Sequence, residues 1–274
     1  MKSILVHLDA SPRSSHRLAL AQGLARRHGA ELTACFAVLP TWQSTPWAFG
    51  EGMAAAAALL AEVDAAQRQR GRETFEQAQA QGPVLWAEAD ADGLMPWLLQ
   101  RALVADLLVL GQADEDDKRT GALPPGLVPE LIAGTGKPAL VVPRTGYFEP
   151  LARRVLVAWK PTREAARAVT AALPWLQQAQ HVHLATQPGP DGELERTLGP
   201  LQHWLALHGV QAGVERHRLD GGEVGSGLLS LAADLGAELL VMGCYGHSRT
   251  REWVLGGASR TVLEGLSLPV LMAH

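Results

Sequence analysis

The sequence predicts an α/β protein with two tandem doubly wound domains, each a five-stranded parallel sheet flanked by helices. Three observations lead to this prediction. The chain has 274 residues, which suits two cores of ordinary size. Short apolar runs alternate with helical patterns, as expected for buried parallel strands joined by crossover helices. Finally, the second half of the chain repeats features of the first, so the same domain is expected twice.

The repeat is clearest where each half closes. The segment ADLLVLG at 105–111 recurs as AELLVMG at 237–243, and KPALVVP at 137–143 is echoed by LPVLMA at 268–273. The openings also correspond, because ILVHLDAS at 4–11 aligns with VLVAWKPT at 155–162. Strand, helix and strand therefore follow one another alike in both halves, and the repeat unit is a whole domain.

The repeat sets the expected boundaries. We predict domains at 1–145 and 150–274, joined by a linker at 145–153 that contains Gly146 and Pro150. A long helix is expected at 53–81. The ten predicted strands lie at about 3–9, 31–39, 83–89, 106–111, 138–142, 154–159, 181–186, 213–219, 238–243 and 269–273.

Composition restricts the partners and the compartment. The net charge of 24 − 28 = −4 opposes nucleic-acid binding as the main function, since that requires a basic face. The longest apolar stretch, 53–61, has about half the ~20 residues of a membrane span, and the N-terminus does not resemble a signal peptide. The two cysteines, Cys35 and Cys244, form no disulfide framework. A soluble cytoplasmic protein is expected.

One segment of the second half has the pattern of an anion site. Residues 243–259, GCYGHSRTREWVLGGAS, run from the end of the fourth strand into the last helix. Glycines allow a nest of backbone N–H groups, and the helix N-terminus adds partial positive charge. A phosphate group is the expected guest. The candidate binding residues in this segment are Gly243, Gly246, His247, Arg249, Gly256, Gly257 and Ser259.

The spacing of Gly243, Gly246 and Gly256 resembles the nucleotide loop of the universal stress proteins, Gly-x2-Gly-x9-Gly followed by Ser or Thr. Together with the repeat, this resemblance extends over nearly the whole chain. It implies a Rossmann-like, adenine nucleotide alpha hydrolase-like fold and ATP or AMP as the cofactor, with Mg²⁺ as a candidate companion. It also implies domains that associate through edge strands, hence an internal pseudo-dimer, and it leaves a homodimer open.

The second half departs from this family pattern at two places. Gly257 stands where the family has Ser or Thr, so Ser259 becomes the candidate hydroxyl donor. Nucleotide-binding members of the family usually end the first strand with Asp, whereas this chain has Trp159 and Lys160 there. We expect Lys160 to pair with phosphate charge and Trp159 to narrow the pocket.

The first half shows the opposite mixture. Asp9 and Ser11 match the family's first-strand Asp and hydroxyl residue, but Asp114 stands opposite Gly246 and Pro125 opposite Gly256. The phosphate loop is thus degenerate. We predict that the first half binds no nucleotide in the family's manner.

Other candidate chemistry receives less support. A zinc site could be drawn from His181, His183 and His217, but no Cys or carboxylate has a ligand-like spacing, so core or loop histidines are predicted and no metal site. We found no motif of a nucleophilic or metalloprotease active site and predict no catalytic residues. Trp42 and Trp47 lie after the second strand, in a pocket rim or a lid.

Three functional hypotheses remain. The first is a stress-response protein that binds an adenine nucleotide in its second domain and acts by sensing or through protein partners. The second is a binding module for a more apolar small ligand. The third is an enzyme, at most a slow ATPase, since Trp159 and Lys160 offer no base or metal-holding carboxylate at the end of the first strand.

Overall fold

The computed structural model describes residues 1–41, 53–89, 93–113, 126–146, 148, 152–187, 192–210, 213–219, 222–244 and 257–274. Within these ranges the chain forms ten strands and eight helices and divides into two compact units, Met1–Thr135 and Gly136–His274. No helix in the described ranges is both long and apolar enough to cross a bilayer.

The first unit has four parallel strands in the order β3-β2-β1-β4. Strand β4 is fully buried, which explains why its sequence is apolar at every position instead of alternating. The strands are β1 (Ser3–Leu8), β2 (Glu31–Phe36), β3 (Leu85–Glu88) and β4 (Leu107–Gly111), and the helices are α1 (Arg13–His28), α2 (Met53–Gln79), α3 (Leu94–Leu103) and α4 (Leu127–Thr135).

The second unit has six strands in the order β5-β10-β9-β6-β7-β8. From β10 to β8 all pairings are parallel. The strands are β5 (Ala139–Val142), β6 (Arg154–Ala158), β7 (His181–Thr186), β8 (Gly213–Arg218), β9 (Leu239–Gly243) and β10 (Val270–Ala273), and the helices are α5 (Arg163–Leu176), α6 (Glu193–Leu207), α7 (Val224–Asp234) and α8 (Gly257–Glu264).

The α/β fold with a mostly parallel, helix-flanked sheet is confirmed, and all ten predicted strands are present. One pairing departs from the predicted all-parallel sheets: β5 runs antiparallel to β10, with Val141 opposite Val270. Pairing with β5 satisfies backbone groups that would otherwise form a bare edge along β10. Because of it, β5 counts with the second unit, and the division falls at 135/136. The predicted domains, 1–145 and 150–274, remain a prediction.

The ends of the first helix in each unit follow local sequence signals. Helix α1 ends at Gly29, whose left-handed backbone (φ 56°) lets its N–H bond the last turn. Helix α5 begins after Thr162, whose side chain accepts a hydrogen bond from the backbone N–H of Ala165. Helix α1 follows β1 and helix α5 follows β6, so the first turn of each helix lies at the carboxyl end of a parallel strand.

Candidate functional site

A cavity of about 330 Å³ lies in the second unit at the carboxyl ends of its parallel strands. The strand order reverses between β6 and β9, and this switch point is where doubly wound sheets bind ligands. The volume is at the lower end of the range for small-molecule sites. The residues that line the cavity are Ala158, Trp159, Lys160, Thr162, Glu164, Ala165, Ala185, Thr186, Gln187, Leu219, Glu223, Val224, Leu228, Met242, Gly243, Gly257, Ala258 and Ser259.

Three helices, α5, α7 and α8, begin at this cavity. Glu223 caps α7 by accepting hydrogen bonds from the N–H groups of Gly225 and Ser226. Helix α5 has Glu164 in its first turn, whereas the first turn of α8 contains no acidic residue. The partial positive charge at the start of α8 is therefore not offset by a carboxylate of its own first turn, and it favours an anion in the cavity.

The cavity is lined by both apolar and polar residues. Leu219, Leu228 and Met242 are buried apolar residues, and the half-buried ring of Trp159 adds an aromatic surface. The polar lining residues include Lys160 and, at the start of α8, the buried Ser259. Such a wall suits a ligand that combines a flat, weakly polar ring with an anionic group.

Gly243 has a packing role that the loop pattern did not suggest. A Cβ at this position would lie 2.4 Å from the backbone nitrogen of Ala165 and 2.7 Å from the carbonyl carbon of Glu164. These neighbours are backbone atoms, which cannot turn away as a flexible side chain can. The absence of a side chain at the end of β9 therefore allows α5 to approach the sheet beside the cavity.

Sequence reasoning missed two carboxylates that line the cavity. Glu164, four residues after Lys160, and Glu223, the N-cap residue of α7, are both among the residues that line the cavity. Both had a signal: Glu164 follows the cap Thr162 by two positions, and Glu223 precedes Ser226 by three. The expectation from the sequence concerned only Trp159 and Lys160 at the strand end, where the first half has Asp9.

Both carboxylates are held ionised by hydrogen bonds. Burial alone would raise the pKa of Glu164, but the hydrogen bond from Arg163 (2.5 Å) and its neighbours outweighs it, so the pKa is lowered. The hydroxyl of Ser226 donates to Glu223 and is the main cause of its lowered pKa. Glu223 also accepts from Thr261 on α8 at 2.9 Å, which fixes α7 against α8. The lining of the cavity thus contains charged residues of both signs.

The eight predicted binding residues divide evenly. Four of them line the cavity: Gly243, Gly257, Ser259 and Lys160. Lys160 and Gly243 are 83 positions apart in the sequence. The other four lie outside the described residues: Gly246, His247, Arg249 and Gly256. Asp114, Pro125, Trp42 and Trp47 lie outside them as well.

The corresponding place in the first unit contains a buried ion pair. Arg17 donates from Nη2 to Asp9 Oδ2 at 3.0 Å and to Ser14 Oγ at 3.0 Å, and from Nε to the His7 carbonyl at 2.7 Å. Ser14 also donates to Asp9 Oδ1 at 2.8 Å. All these side chains are buried, and the Arg17 charge and these hydrogen bonds lower the pKa of Asp9 although burial opposes them.

The alignment of the repeats shows how the two units differ at this place. Asp9 corresponds to Lys160 and Arg17 to Ala168, a buried small residue. The guanidinium of Arg17 lies at the switch point between β1 and β4, beside Gly111. In the first unit a buried, paired guanidinium thus fills the space beside the last residue of β4.

Comparison with known proteins finds a family match within the second unit. Residues 152–274 match the Universal stress protein family. A segment of 174 residues is 27% identical to Universal stress protein Slr1230 of Synechocystis sp. (strain ATCC 27184 / PCC 6803 / Kazusa) and covers 61% of this chain. The chain spans 57% of the length of that relative.

Solved structures extend the likeness of fold to both units. The crystal structure of a universal stress protein from Archaeoglobus fulgidus DSM 4304 has a TM-score of 0.70 at 16% identity, covering 99% of this chain and 95% of that one. Protein PA1789 of Pseudomonas aeruginosa PAO1, of unknown function, has a TM-score of 0.60 at 17% identity, covering 99% and 92%. At these identities the likeness concerns the fold alone.

Proposed function

We propose that this chain is a tandem universal stress protein of the cytoplasm that binds an adenine nucleotide, ATP or AMP, in its second unit. It acts by sensing the nucleotide and through protein partners. The observation that carries the proposal is the cavity at the β6/β9 switch point, which is lined by aromatic and apolar residues, by Lys160 and by the start of α8.

The apolar and the cationic lining residues suit the two parts of a nucleotide, its base and its phosphates. The adenine ring packs against Trp159 and the apolar residues, since aromatic rings and aliphatic side chains favour flat bases. The phosphates lie toward Lys160 and the start of α8, where helix dipole and ammonium both attract negative charge. The predicted loop residues Gly246, His247, Arg249 and Gly256 belong to the same proposal.

Magnesium is part of this proposal as a companion of the phosphates. The ion prefers oxygen ligands and is usually held by one or two carboxylates together with phosphate oxygens. Glu164 is the carboxylate of the cavity that lies nearest in sequence to Lys160. Its hydrogen bond from Arg163 leaves it limited capacity for a metal, so we expect nucleotide binding to depend weakly on Mg²⁺.

Nucleotide binding is confined to the second unit in this proposal. The switch point of the first unit contains Arg17, whose charge is already paired with Asp9. Displacing a buried, paired guanidinium would leave Asp9 uncompensated, which typically costs about 3–5 kcal/mol.

Calorimetric titration with ATP and AMP tests the proposal. Lys160→Met removes the ammonium from the cavity and should weaken ATP binding roughly tenfold or more, because hydrogen bonds to charged groups contribute about 1.5–3 kcal/mol. The matched control is Lys2→Met, which removes an exposed lysine at the start of β1 and should leave binding unchanged. Equal affinity in all three proteins would reject the cavity as the nucleotide site.

A more apolar ligand is the alternative that the cavity also favours, because Leu219, Leu228 and Met242 face it. Mass spectrometry of compounds released from freshly purified protein separates the two. ATP or AMP supports the nucleotide proposal, and a lipid or another apolar compound supports the alternative.

The domain arrangement stays part of the proposal. Two domains, 1–145 and 150–274, pack as an internal pseudo-dimer, and two chains can pair further as a homodimer. Light scattering on the purified full chain distinguishes a monomer from a dimer.

A further inference from the structure

Two neighbouring strands of the second unit bring three metal-ligand side chains to one face of the sheet. His183 on β7 is directly opposite Glu215 on β8, and His217 follows Glu215 by two residues. Residues two apart along a strand point to the same face. Arg216, between the two ligands on β8, points to the opposite face, where it donates to Gln202 of α6 at 2.7 Å. The three side chains therefore converge on one side of β7 and β8.

The ligand atoms converge as well. His183 Nδ1 lies 3.1 Å from His217 Nε2 and 3.5 Å from Glu215 Oε2, and His217 Nε2 lies 3.9 Å from the same oxygen. Four-coordinate zinc with bonds of 2.0–2.1 Å requires ligand atoms about 3.3–3.4 Å apart. All three separations are within about half an ångström of that requirement. Small rotations of the exposed Glu215 side chain are sufficient to complete the geometry.

We propose that His183, Glu215 and His217 form a binding site for a zinc ion. Two imidazole nitrogens and one carboxylate oxygen are a donor set that zinc accepts, and three protein ligands leave a fourth position for water or a further ligand. None of the three residues lines the nucleotide cavity. Glu215 and His217 share a face by their spacing in the sequence, but the position of Glu215 opposite His183 follows only from the pairing of β7 with β8.

Burial around the site provides both rigidity and an entry path. The side chain of His183 is 7% exposed, that of His217 21% and that of Glu215 59%. The inner ligand is therefore held by packing, and the outer carboxylate opens the site to solvent. Sites built on paired strands hold their ligands better than sites on loops.

Another explanation of the geometry must be distinguished from zinc binding. At 3.1 Å, one neutral imidazole of the pair can donate a hydrogen bond to the other, and Glu215 can then act as a surface charge only. This alternative predicts no stoichiometric uptake of metal. Zinc binding and the simple hydrogen bond thus differ in an observable quantity.

The test is calorimetric titration of Zn²⁺ into the full chain, treated with a chelator and free of any polyhistidine tag. We expect one zinc ion per chain, and roughly tenfold or greater loss of affinity in both Glu215→Gln and His217→Ala, since even outer partners of zinc ligands contribute that much. These two residues are partly exposed, so folding of both variants is expected, and circular dichroism checks it.

His181→Asn is the matched control. His181 lies on the same strand and face as His183, with ring centroids 6.4 Å apart, but it is not in the three-residue cluster. Zinc affinity should remain at the wild-type value in this variant. Absence of stoichiometric zinc, wild-type affinity in Glu215→Gln and His217→Ala, or equal loss in His181→Asn would each overturn the proposal.

Discussion

The guanidinium of Arg17 occupies the space that a side chain on Gly111 would need. A Cβ on Gly111 would lie 2.1 Å from Arg17 Nη1 and 3.1 Å from its Cζ. Gly111 ends β4, and Arg17 lies on α1, where three hydrogen bonds hold it to His7, Asp9 and Ser14. The glycine and the buried ion pair of the first unit therefore depend on each other.

Gly111→Ala should destabilise the protein. The added methyl group displaces a buried guanidinium that is fixed by hydrogen bonds, and overpacking of this kind typically costs about 1–3 kcal/mol. Thermal unfolding measured by circular dichroism is the check. The control is Gly222→Ala, where an added Cβ meets no atom within 4 Å. If the two variants unfold at the same temperature, the packing of Arg17 against Gly111 does not constrain the fold.

Stability should depend on pH through His7. Burial, followed by the charge of Arg17, lowers the pKa of His7 to about 4 in the folded protein, below its ordinary value of 6.5. Its Nε2 nitrogen bonds the Ala37 carbonyl at 2.7 Å, and Nδ1 has no hydrogen-bond partner among the described residues. A proton on Nδ1 would therefore be a buried, unsatisfied donor.

The direction of this pH dependence follows from which state of the protein, folded or unfolded, binds the proton. Between pH 6.5 and about 4 the unfolded chain holds the proton and the folded protein does not. The contribution of neutral His7 to the free energy of unfolding is therefore complete above pH 6.5 and is lost as the pH falls toward 4. It amounts to about 3 kcal/mol. Urea unfolding from pH 7 to pH 4.5 should show a smaller loss of stability in His7→Gln than in the wild type. Exchange of the exposed His16 for Gln is the control, and a wild-type loss in His7→Gln would contradict the prediction.

Lys160→Asp should strengthen the magnesium dependence of nucleotide binding. The change replaces an ammonium by a carboxylate beside Glu164, so the cavity gains a second source of oxygen ligands for the ion. Calorimetry with ATP in the presence and absence of Mg²⁺ measures the effect. Lys160→Met, which removes the charge without adding an oxygen ligand, should show no such gain.

Hydrolysis of ATP by the unmodified protein should be slow or absent. Arg163 already holds Glu164 by a hydrogen bond, and Glu223 caps α7, so neither carboxylate of the cavity is placed as a base. Release of phosphate from ATP with Mg²⁺ is the measurement. Turnover at the ~1–100 s⁻¹ typical of kinases would require a catalytic group other than these.

The cysteines should resist modification in the folded protein. Burial raises the pKa of the Cys35 thiol to about 12 and also raises that of Cys244, whose Sγ donates to the Ala273 carbonyl. Since the thiolate is the reactive form, a thiol reagent at pH 8 should label neither residue until denaturant is added. Labelling of one thiol per chain without denaturant would show that one of them is accessible.

The sequence predicted the strands well because buried parallel strands are apolar at every position. Leu239, Leu240 and Val241 are fully buried, and their counterparts Leu107, Leu108 and Val109 are as well, so the repeat of the two segments was informative. The antiparallel pairing of β5 with β10 could not be predicted in this way. Burial on both faces does not distinguish the direction of a neighbouring strand.

The site residues show the same division between local and tertiary information. Gly243, Gly257, Ser259 and Lys160 followed from a loop pattern and a strand end, which are local signals. The exclusion of phosphate from the first unit was inferred from Asp114 and Pro125, whereas the described structure adds the Asp9–Arg17 pair. Arg17 lies in the middle of a helix, where an arginine in the sequence is usually a solvated surface residue.

The Asp9–Arg17 pair also has a consequence for how the two halves respond to the cell. A bound solute stabilises its host in proportion to the logarithm of its concentration, so nucleotide binding as proposed would tie the second unit's stability to the nucleotide supply. The guanidinium beside Gly111 belongs to the side chain of Arg17, so it fills this space at every metabolite concentration. The first unit is thus insensitive to supply at this place. Differential protection from proteolysis as nucleotide is added should then appear in residues 136–274 and not in residues 1–135.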